Sequence, residues 1–560
     1  MEKRFFVTTP IYYSNDVPHI GHAYSTLIAD TYARFKRLLG YEVKFCTGVD
    51  ENSQKIVQKA EEAGIELYEY LDSYAQKHIA VWDALSVSYT DFIRTTGRWV
   101  KSEKRDVDFQ YDHHAFVQKI LSQIYDQWQD IYQWEYEGLY CVGCEAFKKE
   151  SDLIEATGEY EGIPAGTKVC PDHPNRLLEV IKEKNWFFKL SHYQWFLEKF
   201  YIDKPDFVIP ERRFAEVKAF VDGWLEDFSI SREGKTFGIQ LPFDKNSVSY
   251  VWFDALLNYV TVCQQDGFWA DDTEKVHILA KDIVRFHAVY WPAMLESAGL
   301  PKPNAEIVTG FLTVDGQKMS KSLGNVVNPV EVVQKYGRDA LTFYLLYDIP
   351  IGTDGDFSWE RFHNSYDAIL CNSWGNLVNR VVTLCKKNWI TGWKLQAESW
   401  RFDDFVNNNA LDSLTMDRFK ELIYFLSTPP EFSFSTIVND KYLQPWLLQK
   451  YLQDRYYWVQ KANEYMQTEQ PWLKLKDEST REEWKKDLQF LLWVVKQLAV
   501  LSAPILTEGF VKMQKILGNE LLYKLDSGSS PEWQEIFENI LAMEEFVVDL
   551  QPEILYQRVD

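Results

Sequence analysis

At 560 residues, 46% hydrophobic and 26% charged, the chain reads as a globular protein, and at roughly 100–200 residues per domain it is too long for one core. A formal charge of −23 argues against non-specific affinity for nucleic acid, which needs clustered Lys and Arg, although a local basic face is compatible with an acidic whole. The start MEKRFFVTTPIYY has no signal-like apolar run, the greasiest stretch (488–506) is broken by Lys496, Gln497 and Pro504, and the cysteines form no secreted disulfide pattern, so a cytoplasmic protein without a membrane span is expected.

Phe5 to Tyr13 is apolar and β-branched and predicts a buried strand, ended by the turn residues Ser14-Asn15-Asp16. From His19 the pattern becomes helical: Tyr24, Leu27, Ile28, Phe35, Leu38 and Leu39 recur at three- and four-residue spacing until Gly40. Tyr41 to Cys46 reads as a second strand, with Gly48 and Asp50 just beyond. Strand, helix, strand is a right-handed crossover of a parallel sheet, whose ligands bind beyond the carboxyl ends of the strands. Pro10 to Tyr13, His19 to His22 and Asp50 fall at that edge, where no GxGxxG is present.

Pro18-His19-Ile20-Gly21-His22 sets two imidazoles three residues apart on a first helical turn, and Gly21 lets a ligand come close to the backbone. Two such donors at a positively polarised helix end suit a polyphosphate. Alone, the pair would more often be surface or metal-binding histidines. Farther on, Cys141-Val-Gly-Cys144 and Cys170-Pro-Asp-His173 have the spacing of a tetrahedral Zn²⁺ site with three thiolates and one imidazole. With all four positions filled by protein, that zinc is expected to be structural, fixing a subdomain inserted at 116–215. Trp252, Ala255 and Tyr259 lie at i, i+3 and i+7, one face of a helix, a pattern that ordinary cores share. Asp315-Gly316-Gln317-Lys318-Met319-Ser320-Lys321-Ser322-Leu323-Gly324-Asn325 is a glycine-flanked loop with two lysines three apart. Beyond Asp339 helices are expected at 364–388, 412–427, 442–467 and 482–501.

HIGH at 19–22 followed by KMSKS at 318–322 resembles the double signature of class I aminoacyl-tRNA synthetases. The chemistry fits such a pair. An amino-acid carboxylate is already a nucleophile toward the α-phosphate of ATP, so the enzyme must align reactants and stabilise charge on the departing pyrophosphate. His19 and His22 would hold one side of the triphosphate, and Lys318 and Lys321, with Met319 and Ser320 in the same loop, the other.

The stretches TPIYYSNDVPHIGHAYSTLIADTYARF, FCTGVDENSQKI, YVWFDALLNY, KDIVRFHAVYWPAML and IPIGTDGDFSWERF resemble the methionyl members of the class, in the family's order. The resemblance implies a methionine pocket of Ile11, Tyr13, Trp252, Ala255, Tyr259, Phe286 and His287, with Asp50 on the substrate ammonium and Lys281 and Asp282 at ATP. Tyr259 and His287 would offer polar contacts to the thioether. It further implies a two-step ligase that makes methionyl-adenylate with Mg²⁺ assisting, then charges tRNA(Met), the initiator included. A helical domain would read the anticodon, with Asn463 and Trp472 from the NxY…PW segment and Thr383 and Lys387 on a neighbouring helix.

Three departures stand out: Ala280 where the family has Gly, Asp50-Glu51-Asn52-Ser53 for Asp-Glu-His-Gly, and Thr383 and Lys387 where some members carry Asn and Arg. The expected division is a Rossmann-like parallel-sheet catalytic domain at 1–115 and 216–325, split by a zinc-knuckle connective peptide at 116–215, then a stem-contact linker at 326–363 and an α-helical anticodon-binding bundle at 364–560. No appended dimerising module is legible, so a monomer is expected. The rivals are another class I synthetase and a non-catalytic tRNA-binding paralogue. The lack of a large editing insertion disfavours the leucine, isoleucine and valine enzymes, and intact His19, His22, Lys318 and Lys321 disfavour the paralogue.

Overall fold

The computed structural model describes residues 3–38, 40–141, 146–148, 150–160, 162–171, 173–234, 237–319, 324–388, 392–394, 445–516, 545–547 and 555–559. Cys144, Ser320, Lys321 and the helix expected at 412–427 lie outside the described residues.

The chain opens on β1 (Arg4–Tyr13), α1 (Ile20–Leu38) and β2 (Glu42–Asp50), which is the expected crossover with the second strand running four residues further. β3 (Asp91–Arg94) follows two helices. Next come the long antiparallel strands β4 (Ile131–Cys141) and β5 (Glu179–Phe188), then β6 (Val208–Ile209), α2 (Val251–Thr261), β7 (Thr273–Ala280) and β8 (Ala305–Thr309). Six of these strands form one parallel sheet in the order β6-β8-β7-β1-β2-β3. Strand order reverses between β1 and β7, the place where ligands of doubly wound sheets bind.

Side-chain alternation along these strands feeds two cores. Phe5, Val7, Phe45, Ile278 and Ile307 pack with α1 and the C-terminal helices on one face. Phe6, Cys46, Leu279 and Val308 pack with α2 and the inserted segment on the other. Pro10 inside β1 is permitted because the strand bulges there. Thr8 pairs with Cys46 but Ile11 with Gly48, so an extra residue fits where a ladder donor is missing. Gly48 lets β2 and β3 approach, since a Cβ on it would stand 2.2 Å from the Ile93 carbonyl oxygen.

The insertion carries its own four-stranded sheet, built on β4 and β5 paired from Ile131 with Phe188 to Tyr140 with Glu179. The two sheets overlap in sequence: Val208–Ile209 belongs to the parallel one, and Phe228–Ser229 to the antiparallel one. After β8, a hairpin of β9 (Leu312–Val314) and β10 (Gln317–Lys318) leads on, and β11 (Gly355–Phe357) pairs with it in parallel. Helices α3 (Asn376–Lys387), α4 (Pro445–Glu469), α5 (Arg481–Ser502) and α6 (Thr507–Ile516) follow, and a short strand Glu545–Val547 pairs with Gly392–Lys394. No helix among the described residues is long and apolar enough to cross a membrane.

Candidate active site

The carboxyl ends of β1, β2 and β7 and the start of α1 converge on the crevice. Ile20 N–H donates to the Val327 carbonyl at 3.1 Å, tying the helix entrance to the segment beyond the lysine loop. The Gly21 N–H donates to His19 Nδ1 at 3.0 Å, and the His19 N–H donates to His22 Nδ1 at 3.1 Å. A backbone N–H can only donate, so both Nδ1 atoms are acceptors and both rings carry their proton on Nε2. Burial lowers the pKa of His19 and drives that of His22 well below 6.5, which keeps both rings neutral. Their centroids are 4.0 Å apart, with Tyr12 set edge-on to His22 at 4.9 Å. The result is two N–H donors at a helix N-terminus.

Lys318 is exposed at the end of β10, and the next residue reaches the histidines: Met319 Cε lies 3.5 Å from where a Gly21 Cβ would stand. That Cβ would also fall 2.9 Å from His19 Cε1, so glycine is required there for the ring to keep its place. Lys281, at the end of β7, forms an ion pair with Asp354 at 2.6 Å and lies over the Phe311 ring at 4.6 Å, with Asp282 exposed beside it. This ion pair holds the Asp354 carboxyl below its usual range.

The aromatic residues form a packed cluster. Trp252 stacks on Phe286 at 4.2 Å and 7°, and Tyr13 meets Trp252 edge-on at 6.4 Å. Ile11 packs against the same core, and Ala255 and Tyr259 are buried on α2. His287 donates from Nδ1 to the Ile283 carbonyl at 3.0 Å and accepts the Tyr259 hydroxyl on Nε2 at 2.8 Å. The two polar atoms expected to meet the thioether are thus bonded to each other, and the wall they present is a fixed, neutral one. Burial holds His287 neutral, with its pKa lowered to about 4.

Asp50 ends β2 opposite Tyr13 and is buried. Behind it stands Asp254, wholly buried on α2, whose Oδ2 accepts the Asn52 Nδ2–H at 2.9 Å. Desolvation, then the nearby Asp50 charge, pushes the Asp254 carboxyl well above its usual range, favouring its protonated form. The departures from the family pattern have local roles: Asn52 also donates to the Thr95 carbonyl, and Ser53 caps the helix that starts at Gln54. Nothing in the sequence singled out Asp254, which reads as one polar residue on an apolar helix.

In the insertion, Cys141 and Cys170 are buried, and the ligand atoms of Cys141, Cys170 and His173 lie within 4.8 Å of one another. The Cys141 Sγ to His173 Nδ1 distance is 3.8 Å. A tetrahedral ion with bonds of roughly 2.0–2.3 Å holds its ligands at such separations, so this cluster can hold a metal.

Farther away, Asn463 donates to the Ser373 carbonyl at 3.1 Å, and Tyr465 donates to Asp487 at 2.7 Å. Trp472 is half-buried, and the cation over its ring at 5.3 Å is Arg380, two turns before Lys387 on α3. Thr383 is half-buried and Lys387 exposed on that helix. Arg380 escaped the sequence reading because three basic residues share α3 and spacing alone does not choose among them.

The family model for class I tRNA synthetases (M) matches residues 5–382, and that for the anticodon binding domain of methionyl tRNA ligase matches 450–559. The chain is 38% identical to a methionine–tRNA ligase of Caldanaerobacter subterraneus over 92% of this chain and 74% of that protein. It is 43% identical to one from Nostoc over 74% of each. Among solved structures it resembles Mycobacterium tuberculosis methionyl-tRNA synthetase in complex with methionyl-adenylate, with a TM-score of 0.82, 30% identity, and 99% of this chain and 100% of that one covered. On a doubly wound parallel sheet with HIGH at the head of its first helix, an aromatic cluster around Trp252 and these relatives along its length, the chain belongs to the methionyl-tRNA synthetases, class I methionine–tRNA ligases.

Proposed function

We propose that the chain activates methionine with ATP at the HIGH edge of the parallel sheet and transfers it to the terminal adenosine of tRNA(Met). The observation that carries this reading is the pair of neutral Nε2–H donors on His19 and His22, joined through β1, where Tyr12 meets His22 and Tyr13 meets the Trp252–Phe286 stack. Methionine's thioether enters the slot of Ile11, Tyr13, Trp252, Ala255, Tyr259, Phe286 and His287, while Asp50 receives its ammonium. His19 and His22 donate to the triphosphate, Gly21 admits it to the helix entrance, and Lys318 and Lys321 neutralise charge on the pyrophosphate as the carboxylate attacks the α-phosphate. Lys281 and Asp282, with Met319 and Ser320, flank the nucleotide. No general base is needed. Mg²⁺ would arrive on the triphosphate and supply charge there.

The domain division given by the sequence is retained, as a catalytic fold split by a connective peptide and followed by a helical bundle. Cys141, Cys144, Cys170 and His173 would hold a structural Zn²⁺ that fixes the peptide. Asn463 and Trp472, with Thr383 and Lys387 on the adjacent helix, would meet the anticodon, where stacking on an aromatic contributes roughly 1–3 kcal/mol per base. We take the protein to act as a cytoplasmic monomer. Charging of tRNA(Met) transcripts with labelled methionine tests the reading. Methionyl-tRNA should form with ATP, and Trp472→Ala should weaken charging while leaving amino-acid activation intact. Failure to charge tRNA(Met) would refute it.

A further inference from the structure

Lys318 ends a hairpin that one carboxylate grips from outside. β9 pairs with β11, placing Leu312 opposite Gly355, Thr313 opposite Asp356 and Val314 opposite Phe357. The turn to β10 is Asp315-Gly316, with φ of 48° and 76°, the two left-handed positions of a tight hairpin turn. Asp356 Oδ1 accepts both the Thr313 hydroxyl and the Gly316 N–H, each at 2.7 Å, and its Oδ2 faces Arg361 at 3.2 Å. The Asp315 N–H donates to the Phe357 carbonyl at 2.9 Å. Two residues earlier, Asp354 accepts the Phe311 N–H at 3.0 Å and pairs with Lys281. One short stretch of chain therefore fixes the strand leading into the hairpin, its turn and the lysine at the end of β7.

We infer that Asp356 is a positioning residue for amino-acid activation: by fixing the Asp315-Gly316 turn it sets where Lys318 stands relative to His19 and His22. The inference rests on the reading of Lys318 as a triphosphate ligand. Asp356 touches no substrate in this scheme and acts through the hairpin. Met319 is already against the HIGH turn, so a small rotation of the hairpin displaces the Lys318 ammonium, and misplacement by about 1 Å can cost about 100-fold in rate. A contact that matters only for the lysine's place should change turnover and leave methionine binding as it was.

Methionine-dependent ATP–pyrophosphate exchange and thermal melting of wild type, Asp356→Ala, Asp356→Asn, Thr313→Val, Lys318→Ala and the Asp356→Ala/Lys318→Ala double variant decide it. Asp356→Ala should lower kcat about tenfold or more with the KM for methionine within about twofold of wild type. Asp356→Asn, whose amide oxygen can still accept both bonds, should recover most of that loss, and Thr313→Val should fall between. The double variant should be no slower than Lys318→Ala alone, because the carboxylate would have no lysine left to place. Wild-type-like kcat in Asp356→Ala, a KM that rises as kcat falls, or additive losses in the double variant would overturn the inference. Should Asp356→Ala not fold, Thr313→Val decides: a kcat loss of about threefold supports the role and an unchanged kcat refutes it. A wild-type protein without methionine-dependent exchange would contradict the functional reading itself.

Discussion

Both signature histidines accept a backbone N–H at Nδ1, so protonating either ring breaks a bond that holds its orientation. Burial lowers both pKa values, hence the working neutral form persists down through pH 6.5 and is lost only on further acidification. The exchange rate should therefore stay level from pH 8 to 6.5 and fall below that range. A rate already halved at pH 7 would contradict the assignment. Gly21→Ala should cost about 100-fold in exchange with little change in melting temperature, since its Cβ would displace the His19 ring and nothing in the core. At this scale the sequence was informative wherever residue type and spacing carry the chemistry, as in HIGH and KMSKS. It was silent on Asp254 and Asp356, whose meaning comes from partners 202 and 40 or more residues away.

Elements impose a second set of constraints. The bulge at Thr9-Pro10 lies where β1 has left β7 and keeps only β2, so a proline can sit in a strand that is otherwise central to the sheet. Gly48→Ala should destabilise the fold strongly, because the new methyl meets backbone on β3 and not a side chain that can turn away. Denaturant unfolding measures this, and a loss of under about 0.5 kcal/mol, the scale of a neutral surface change, would be unexpected. In the insertion, removing metal with a chelator, or Cys141→Ser, should expose the knuckle to proteolysis while the parallel sheet keeps its protection, as hydrogen exchange can show. The first crossover and the bundle helices α4 and α5 were legible because their periods run over many residues. The two-residue strands Val208–Ile209 and Phe228–Ser229 have no period to read, which is why the edges of the insertion are blurred in the sequence.

Across the whole molecule, α1 is locked to the C-terminal helices by charge as well as packing. Asp30, fully buried, accepts Arg34 at 2.8 Å and Arg338 at 2.6 Å, together with the Ser88 N–H and hydroxyl. Arg338 reaches on to the Ile505 carbonyl, and Asp339 accepts the Glu508 and Gly509 N–H groups at the start of α6. Arg338→Ala leaves Asp30 with one guanidinium fewer in a dry site and should destabilise by about 3–5 kcal/mol. Buried histidines set the acid limit of stability. His78 and His287 have pKa values lowered to about 4 and His113 to about 3, so between those values and 6.5 the unfolded chain binds more protons than the native one. The stability contributed by these histidines is therefore complete above pH 6.5 and drains as pH falls toward 4, on the order of 3 kcal/mol for each of His78 and His287 when fully expressed. A melting temperature that is constant from pH 7 to 4 would contradict this. This junction was not legible in the sequence, because Asp30 and Arg338 are 308 residues apart and each reads alone as a solvated charge.

The most direct test of the account is amino-acid-dependent ATP–pyrophosphate exchange run with each of the twenty amino acids, with Lys318→Ala as control. Exchange with methionine alone, abolished in the control, is the predicted result. Exchange driven by a different amino acid, or undiminished by the loss of Lys318, would contradict the pocket or the signature chemistry assigned to it.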